Sequence, residues 1–189
     1  LQQIKAYLDQ IAVISSADWE FFTSKLQRRI IKKKAVFLKL NAVEDHISFI
    51  ESGVVRIFIP KDDPDKEITF GFSFEDHFIS AYDSFLTQKP SAYQLQALTE
   101  THLLSITYAD LQAVYKNTQI GNLIGRLTAE RLFLSKSKRE QDLLNLTAEE
   151  RYKSLFKERP ELIKEIPLKY ISSYIGVTAQ ALSRIRKRL

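Results

Sequence analysis

Two periodicities divide this chain. From Gln2 to Ile11 the apolar residues Ile4, Tyr7, Leu8 and Ile11 fall on one helical face, and Ser15 or Ser16 can cap a second helix through Trp19, Phe22 and Leu26. From Ile30 the pattern shortens. Ile30–Lys33, Val36–Leu40, His46–Glu51, Val54–Pro60, Lys66–Ser73, Ala92–Thr99 and His102–Thr107 are short runs rich in Ile, Val, Phe and Thr. Turn material separates them: Asn41 to Asp45, Ser52-Gly53, the polar Lys61–Asp65 loop, and Thr99 to Thr101. Val55, Ile57 and Ile59 alternate against Arg56 and Phe58, and Ser52-Gly53 suits a hairpin turn. Many short strands at regular spacing predict a β-sandwich or barrel. Glu75 to Gln94 interrupts them. There Ile79 to Leu86 fits a short helix followed by a loop with Pro90, and a helix inserted in a barrel is a natural wall for a ligand pocket.

Helical period returns near Tyr108. Ala109 to Tyr115 makes one segment, and a pattern free of proline runs from Thr118 or Gln119 to about Asn145. At 1.5 Å per residue such a helix spans ~39 Å. Ile120, Leu123, Ile124, Leu127 and Leu134 line one face, with Leu132 and Phe133 on another. One face can cover the barrel and the other predicts a dimer seam, the alternative being a helix packed wholly on its own chain. Ser135 to Arg139 reads as charged and solvated. Thr147 with Glu150 three residues on is a capping box. Tyr152, Leu155 and Phe156 give the helix it opens a buried side, Pro160 ends it, and Leu162, Ile163 and Ile166 lead to Pro167.

The last stretch, Ile166 to Leu189, predicts two short helices joined by a tight turn. Leu168, Ile171 and Ile175 share a face, Gly176 supplies the positive φ of the turn, and Thr178 caps the second helix. That helix buries Ala181, Leu182 and Ile185 and shows Gln180, Ser183, Arg184 and Lys187. Charge makes the pattern more specific. The stretch holds Lys169, Arg184, Arg186, Lys187 and Arg188 and no acid, and without them the chain has 23 basic and 23 acidic residues. The net +5 therefore sits in this two-helix unit, the footprint of a helix-turn-helix that binds double-stranded DNA rather than of a solvated amphipathic tail.

Composition narrows the remaining chemistry. An apolar fraction of 44% with 21 aromatics can build a packed core, and Trp19 reads as a packing anchor. The chain has no cysteine, which excludes disulfides, cysteine-ligated zinc and cysteine-held iron–sulfur clusters within it. No apolar run reaches the ~20 residues of a membrane helix. The start lacks the pattern of a signal peptide and an initiator Met, so the expectation is a trimmed, cytoplasmic protein without a membrane partner. His46, His77 and His102 are the metal candidates. None lies within twenty residues of another, unlike the closely spaced histidines of a cupin-type metal enzyme, and no metal site is expected. No phosphate loop, nucleophile elbow or paired carboxylates on one helical face appear, so the chain is not expected to be an enzyme.

Helices, a β-barrel with an inserted helix, a long helix, then a helix-turn-helix: this order resembles the Crp/Fnr superfamily of bacterial transcription regulators. The resemblance covers nearly the whole chain. It is most specific in LTAEERYKSLFKERPELIKEIPLKYISSYIGVTAQALSRIRK and in FIESGVVRIFIP followed by DHFISAYDSF. The C-terminal pattern is similar to the branch common in Bacteroidetes-type bacteria. The resemblance implies an α+β protein with three parts. A cyclic-nucleotide-binding-like β-roll (a double-stranded β-helix) would span 1–108, a linker and long dimerisation helix 109–145, and a (winged) helix-turn-helix domain 146–189. It implies a homodimer on a palindromic operator, with RNA polymerase and a small-molecule effector as further candidate partners. The chain stops at the recognition helix, so the wing is expected to be missing or very short.

Carried over residue by residue, the recognition helix is Thr178 to Arg188. Ala179, Gln180 and Arg184 take the base-reading positions, since Gln pairs bidentately with adenine and Arg with guanine. Thr178 and Ser183 suit phosphate or mixed contacts, and Arg186 and Lys187 suit phosphates or solvent. The effector pocket is expected around Ser80, Ala81, Tyr82, Lys89 and Ser91, and here the chain departs from the family. Cyclic-nucleotide binders keep a Gly-Glu pair for the ribose and an Arg-Ser or Arg-Thr pair for the phosphate, where this chain has Ser80-Ala81 and Pro90-Ser91. Lys89 is cationic but lacks the planar fork of an arginine. Cyclic AMP is therefore not the expected effector, and which cofactor the roll takes stays open. The competing reading is a ligand-binding regulatory module that acts through protein partners, with a cupin-like enzyme a distant third.

Overall fold

Among the residues described by the computed structural model, 1–158 and 166–188, eight strands form two four-stranded sheets. One sheet runs in the order β1 (Gln27–Ile31), β8 (Thr101–Thr107), β3 (His46–Ser52), β6 (Phe78–Ile79). The other runs β2 (Val36–Leu38), β7 (Gln94–Ala97), β4 (Val55–Ile59), β5 (Ile68–Ser73). Pro160, Leu162 and Ile163, expected at the end of one helix and the approach to the next, lie outside the described residues. The chain divides into two compact units: Leu1–Ile57 with Phe72–Arg131, and Phe58–Gly71 with Leu132–Leu189.

In the first unit, strand alternation gives the β1–β8–β3–β6 sheet two apolar faces. Ile50 pairs with Leu103 and Phe49 with Leu104, so neighbouring pairs point to opposite sides. Ile50 and Leu103 join Leu38, Val55, Ile79 and Leu95 between the sheets. Phe49 and Leu104 face the other way and pack with Ile4 and Leu8 of α1 (Gln2–Asp9), flanked by Trp19 and Phe22 of α2 (Ser16–Ser24). Tyr7, Phe49 and Phe78 meet edge to face with centroids 5.3 to 5.9 Å apart. Trp19 is thus the packing residue its spacing predicts. Ser15 caps α2 by accepting from the Asp18 amide at 3.1 Å.

After β8 come α4 (Tyr108–Asn117) and α5 (Gly121–Asn145), the latter 25 residues long. Two side chains fix the start of α5. Thr118 Oγ1 accepts from the Gly121 amide at 3.0 Å, and the Asp18 carboxylate accepts from the Gln119 and Ile120 amides at 3.1 and 3.2 Å. The α4–α5 corner closes so tightly that a Cβ on Gly125 would lie 2.8 to 2.9 Å from the Tyr115 ring and hydroxyl.

Several expectations need correction. Ile79 does not open a helix: it pairs with Ser48 in β6 and fills the roll core, and α3 (Tyr82–Thr87) begins three residues later. β1 starts at Gln27 rather than Ile30, because Arg28 and Arg29 pair with β8 through their backbones whatever their charge, and Lys32–Lys34 form the turn. Leu26 lies beyond α2 but packs in the same cluster. Arg56 and Phe58 are not an outward face of β4; they are 1% and 3% exposed, so this interior strand is covered on both sides. Ile120 precedes α5 rather than lying in it.

Gly125→Ala should destabilise the first unit by ~1–3 kcal/mol through overpacking against Tyr115. Chemical denaturation should show a lower midpoint with an unchanged m-value, and the double variant Gly125→Ala/Tyr115→Leu should recover part of the loss.

Candidate nucleic-acid interface and effector cassette

The second unit carries the two-helix motif. α6 (Ala148–Glu158) opens on the expected capping box, in which Thr147 N donates to Glu150 Oε2 at 2.8 Å and Glu150 N to Thr147 Oγ1 at 3.3 Å. These bonds hold the Glu150 carboxyl below its ordinary pKa, the backbone bond from Thr147 contributing most. α7 (Leu168–Ile175) buries Ile171, Ser172 and Ile175 and ends at Gly176, whose φ is +88°. The Gly176 and Val177 amides both return to the Ser172 carbonyl, at 2.9 and 3.0 Å. α8 (Ala179–Arg188) starts from Thr178, whose Oγ1 accepts from the Ala181 amide at 3.2 Å.

Burial divides α8 cleanly. Leu182 is fully buried, and Ala179, Ala181, Ser183 and Ile185 are half-buried. Thr178, Gln180, Arg184, Arg186, Lys187 and Arg188 are exposed, with Gln180, Arg184 and Lys187 at helical spacing on one side. The basic last turn also lies where the helix dipole is negative, which favours cations there.

What braces the motif was not legible in the chain. Within Ser135–Arg139, Ser135, Lys136 and Lys138 are exposed as expected, but Arg139 reaches α7. Its guanidinium stacks 3.6 Å from the Tyr174 ring centroid and donates to the Tyr174 carbonyl. Arg151 of α6 donates to the Ile175 carbonyl at 2.9 Å and to the Leu146 carbonyl. Two arginines thus satisfy carbonyls at the end of α7 that no amide further along the helix could reach. They border a cleft of about 140 Å³ with Asp142 and Tyr174, in which Lys138 is held by Asp142 at 2.8 Å. On another side of α7, Ser173 Oγ donates to the Glu67 carbonyl at 2.8 Å and accepts from the Thr69 amide at 2.9 Å, hooking the edge strand β5.

The candidate dimer residues on α5 differ in exposure. Ile124 packs against the Phe49 cluster, while Leu123 and Leu127 are half-buried. Leu134 is 66% exposed, joined by Phe133 at 69% and Leu144 at 79%. Phe133 and Leu144, eleven residues apart, stand on one stripe of the helix.

In the first unit, the structure spends most of the candidate effector residues on the chain itself. Ser80 Oγ donates to the His46 carbonyl at 2.9 Å. Ala81 is fully buried in the roll core, and the Tyr82 ring stacks on Phe85. Ser91 is 1% exposed, and its hydroxyl donates to the Tyr93 carbonyl at 2.9 Å. Lys89 is exposed. The sequence reading missed Glu44, which is 6% exposed. Its carboxyl oxygens accept from the His46 amide at 3.0 Å and the Ala81 amide at 3.4 Å. Burial pushes its pKa up, against the pull of those amides and of the Arg29 charge. Among the described residues no group of three His, Asp or Glu side chains could hold a metal ion, and no helix is long and apolar enough to cross a membrane.

Gly176→Ala should cost ~1–2 kcal/mol, the penalty of a side chain in the left-handed region, because space is not limiting: the added Cβ would come no nearer than 3.8 Å to Arg151. Gly176→Asn should cost less. Thermal melts of both variants check the ranking.

A model of the cyclic nucleotide-binding domain matches residues 28–118. No curated protein sequence matches the chain. Among solved structures, it is similar to the c-di-GMP-responsive global regulator CLP of Xanthomonas campestris, with a TM-score of 0.70 and 18% identity over 92% of this chain and 91% of that one. A Crp/Fnr-family protein of Eubacterium rectale gives a TM-score of 0.71 at 16% identity over 93% and 83%. The catabolite activator protein of Thermus thermophilus gives 0.57 at 18% identity over 93% and 83%. Residues 28–118 belong to the cyclic nucleotide-binding domain family, and the chain around them has the fold of the Crp/Fnr regulators.

Proposed function

We propose that this chain is a non-enzymatic, homodimeric transcription regulator of the Crp/Fnr type that reads a palindromic DNA operator. The observation that carries the reading is α8. It is a capped helix with one buried side on Leu182 and an acid-free exposed side bearing Gln180, Arg184 and Lys187. Gln180 and Arg184 have the donor and acceptor geometry to read adenine and guanine edges, with Ala179 available for an apolar contact. Thr178, Ser183, Arg186 and Lys187 are matched to phosphates.

In this reading residues 1–108 are the sensor, 109–145 the linker and dimerisation helix, and 146–189 the DNA reader. The exposed Leu134, Phe133 and Leu144 form the core of the seam between two copies of α5. Ile124, and in part Leu123 and Leu127, are engaged within their own chain. Two α8 helices ~34 Å apart would enter successive major grooves of one operator. The regulator works in the cytoplasm, with RNA polymerase as its further partner, and cyclic AMP is not its effector. The ribose carboxylate and phosphate guanidinium are absent from 80–81 and 90–91, and the polar groups that remain there are largely bonded to the chain.

Selection of bound genomic fragments would define the operator. On it, Arg184→Ala should lose ~1–3 kcal/mol and relax preference at one base pair. Lys187→Ala should weaken all sequences alike and lower the salt slope by about one unit. Salt-insensitive binding, or no DNA bound at any salt, would sink the reading.

A further inference from the structure

Glu44 is the one buried carboxyl group among the described residues, and it makes no ion pair there. Such burial is costly unless the group is well bonded. Its bonds go to backbone on two sides of the roll: the His46 amide at the start of β3 and the Ala81 amide just before α3. Its own amide donates to Ser84 Oγ at 3.0 Å, and Gln88 Nε2 donates to its carbonyl at 3.5 Å. Ser84 in turn donates to the Lys89 carbonyl. One residue therefore ties the β2–β3 connection to the whole length of the Ser80–Lys89 segment.

Several groups around the carboxyl favour an anion, although burial outweighs them. Two backbone amides converge on it. Arg29 adds a positive charge from β1, on the sheet face it shares with its partner Leu103. His46, half-buried beside it, is held below its ordinary pKa first by burial and then by the Arg29 charge, so it supplies an amide rather than a second cation.

We propose that Glu44 is a built-in occupant of the effector cassette. The domain family takes a nucleotide whose ribose pair stands at 80–81 of this chain, and here the chain's own carboxylate holds the Ala81 amide at that position. The Ser80–Ser91 segment is thereby kept in place without a ligand. The regulator's sensor is self-occupied, and an effector that works through this segment must displace Glu44 rather than fill a vacant pocket.

This inference extends the reading that cyclic AMP is not the effector, and the two fail differently. The test titrates the whole 189-residue chain with inorganic phosphate and with cyclic AMP by calorimetry and thermal melts, using chloride at equal ionic strength as the control. The native chain should bind neither. Glu44→Ala should bind phosphate, with a rise in Tm of about 3 °C or more at ~100 mM. Adding Arg29→Ala should abolish that gain. If Glu44→Ala does not fold alone, formate should restore folding by refilling the carboxylate position. Cyclic AMP binding by the native chain overturns the effector reading and this one together. A Glu44→Ala chain that gains nothing from phosphate or formate, folded or not, overturns the self-occupied cassette alone.

Discussion

A sheet with apolar residues on both faces can leave neither in water, and most of the first unit follows from that. Ile50 and Leu103 face inward to the second sheet, while Phe49, Phe78 and Leu104 face outward and need a cover. The N-terminal helices supply it, and so does Ile124 near the start of α5. Burying an aromatic side chain of this size contributes on the order of 2–3 kcal/mol, so this layer is a large part of what a marginally stable domain has to spend. It also explains why Asp18 of α2 is at hand to cap residues 119 and 120: the same packing that covers Phe49 brings α2 to the start of the long helix.

In the second unit the governing constraint is the end of α7. A helix leaves its last carbonyls without partners, and a chain that turns at Gly176 cannot extend the helix to satisfy them. The Gly176 turn takes the Ser172 carbonyl, Arg139 takes that of Tyr174 and Arg151 that of Ile175. Cations at a helix C-terminus are favoured by the dipole as well as by hydrogen bonding. Under the proposed DNA-reading role, rigidity in α7 is what α8 needs from its support, since base reading depends on side chains held to a fraction of an ångström.

The candidate effector segment uses polar groups differently from what its composition implies. Ser80, Ser84 and Ser91 are the residue types expected of a ligand pocket, yet their hydroxyls hold the segment together through backbone carbonyls. Glu44 belongs to the same network. A segment satisfied in this way has little left to offer a ligand, which agrees with the missing ribose and phosphate partners at 80–81 and 90–91.

Local rules made much of this molecule legible. The capping box at Thr147, the turn at Gly176, the unbroken helix to Asn145 and the two-sided α8 rest on spacings of a few residues, and such spacings act through bonds that close within a turn. The order of strands and helices carried the fold class for the same reason. What stayed hidden depends on partners far away in the chain: Ser173 with Glu67, 106 residues apart, Arg139 with Tyr174, and Glu44 with Ala81. A charged or hydroxyl side chain looks solvated in a sequence because water is its default partner. Only the folded chain determines whether a carbonyl, a ring or an amide takes water's place, and that exchange turned Arg139 into a brace, Arg56 into a core residue and Glu44 into the occupant of its own domain.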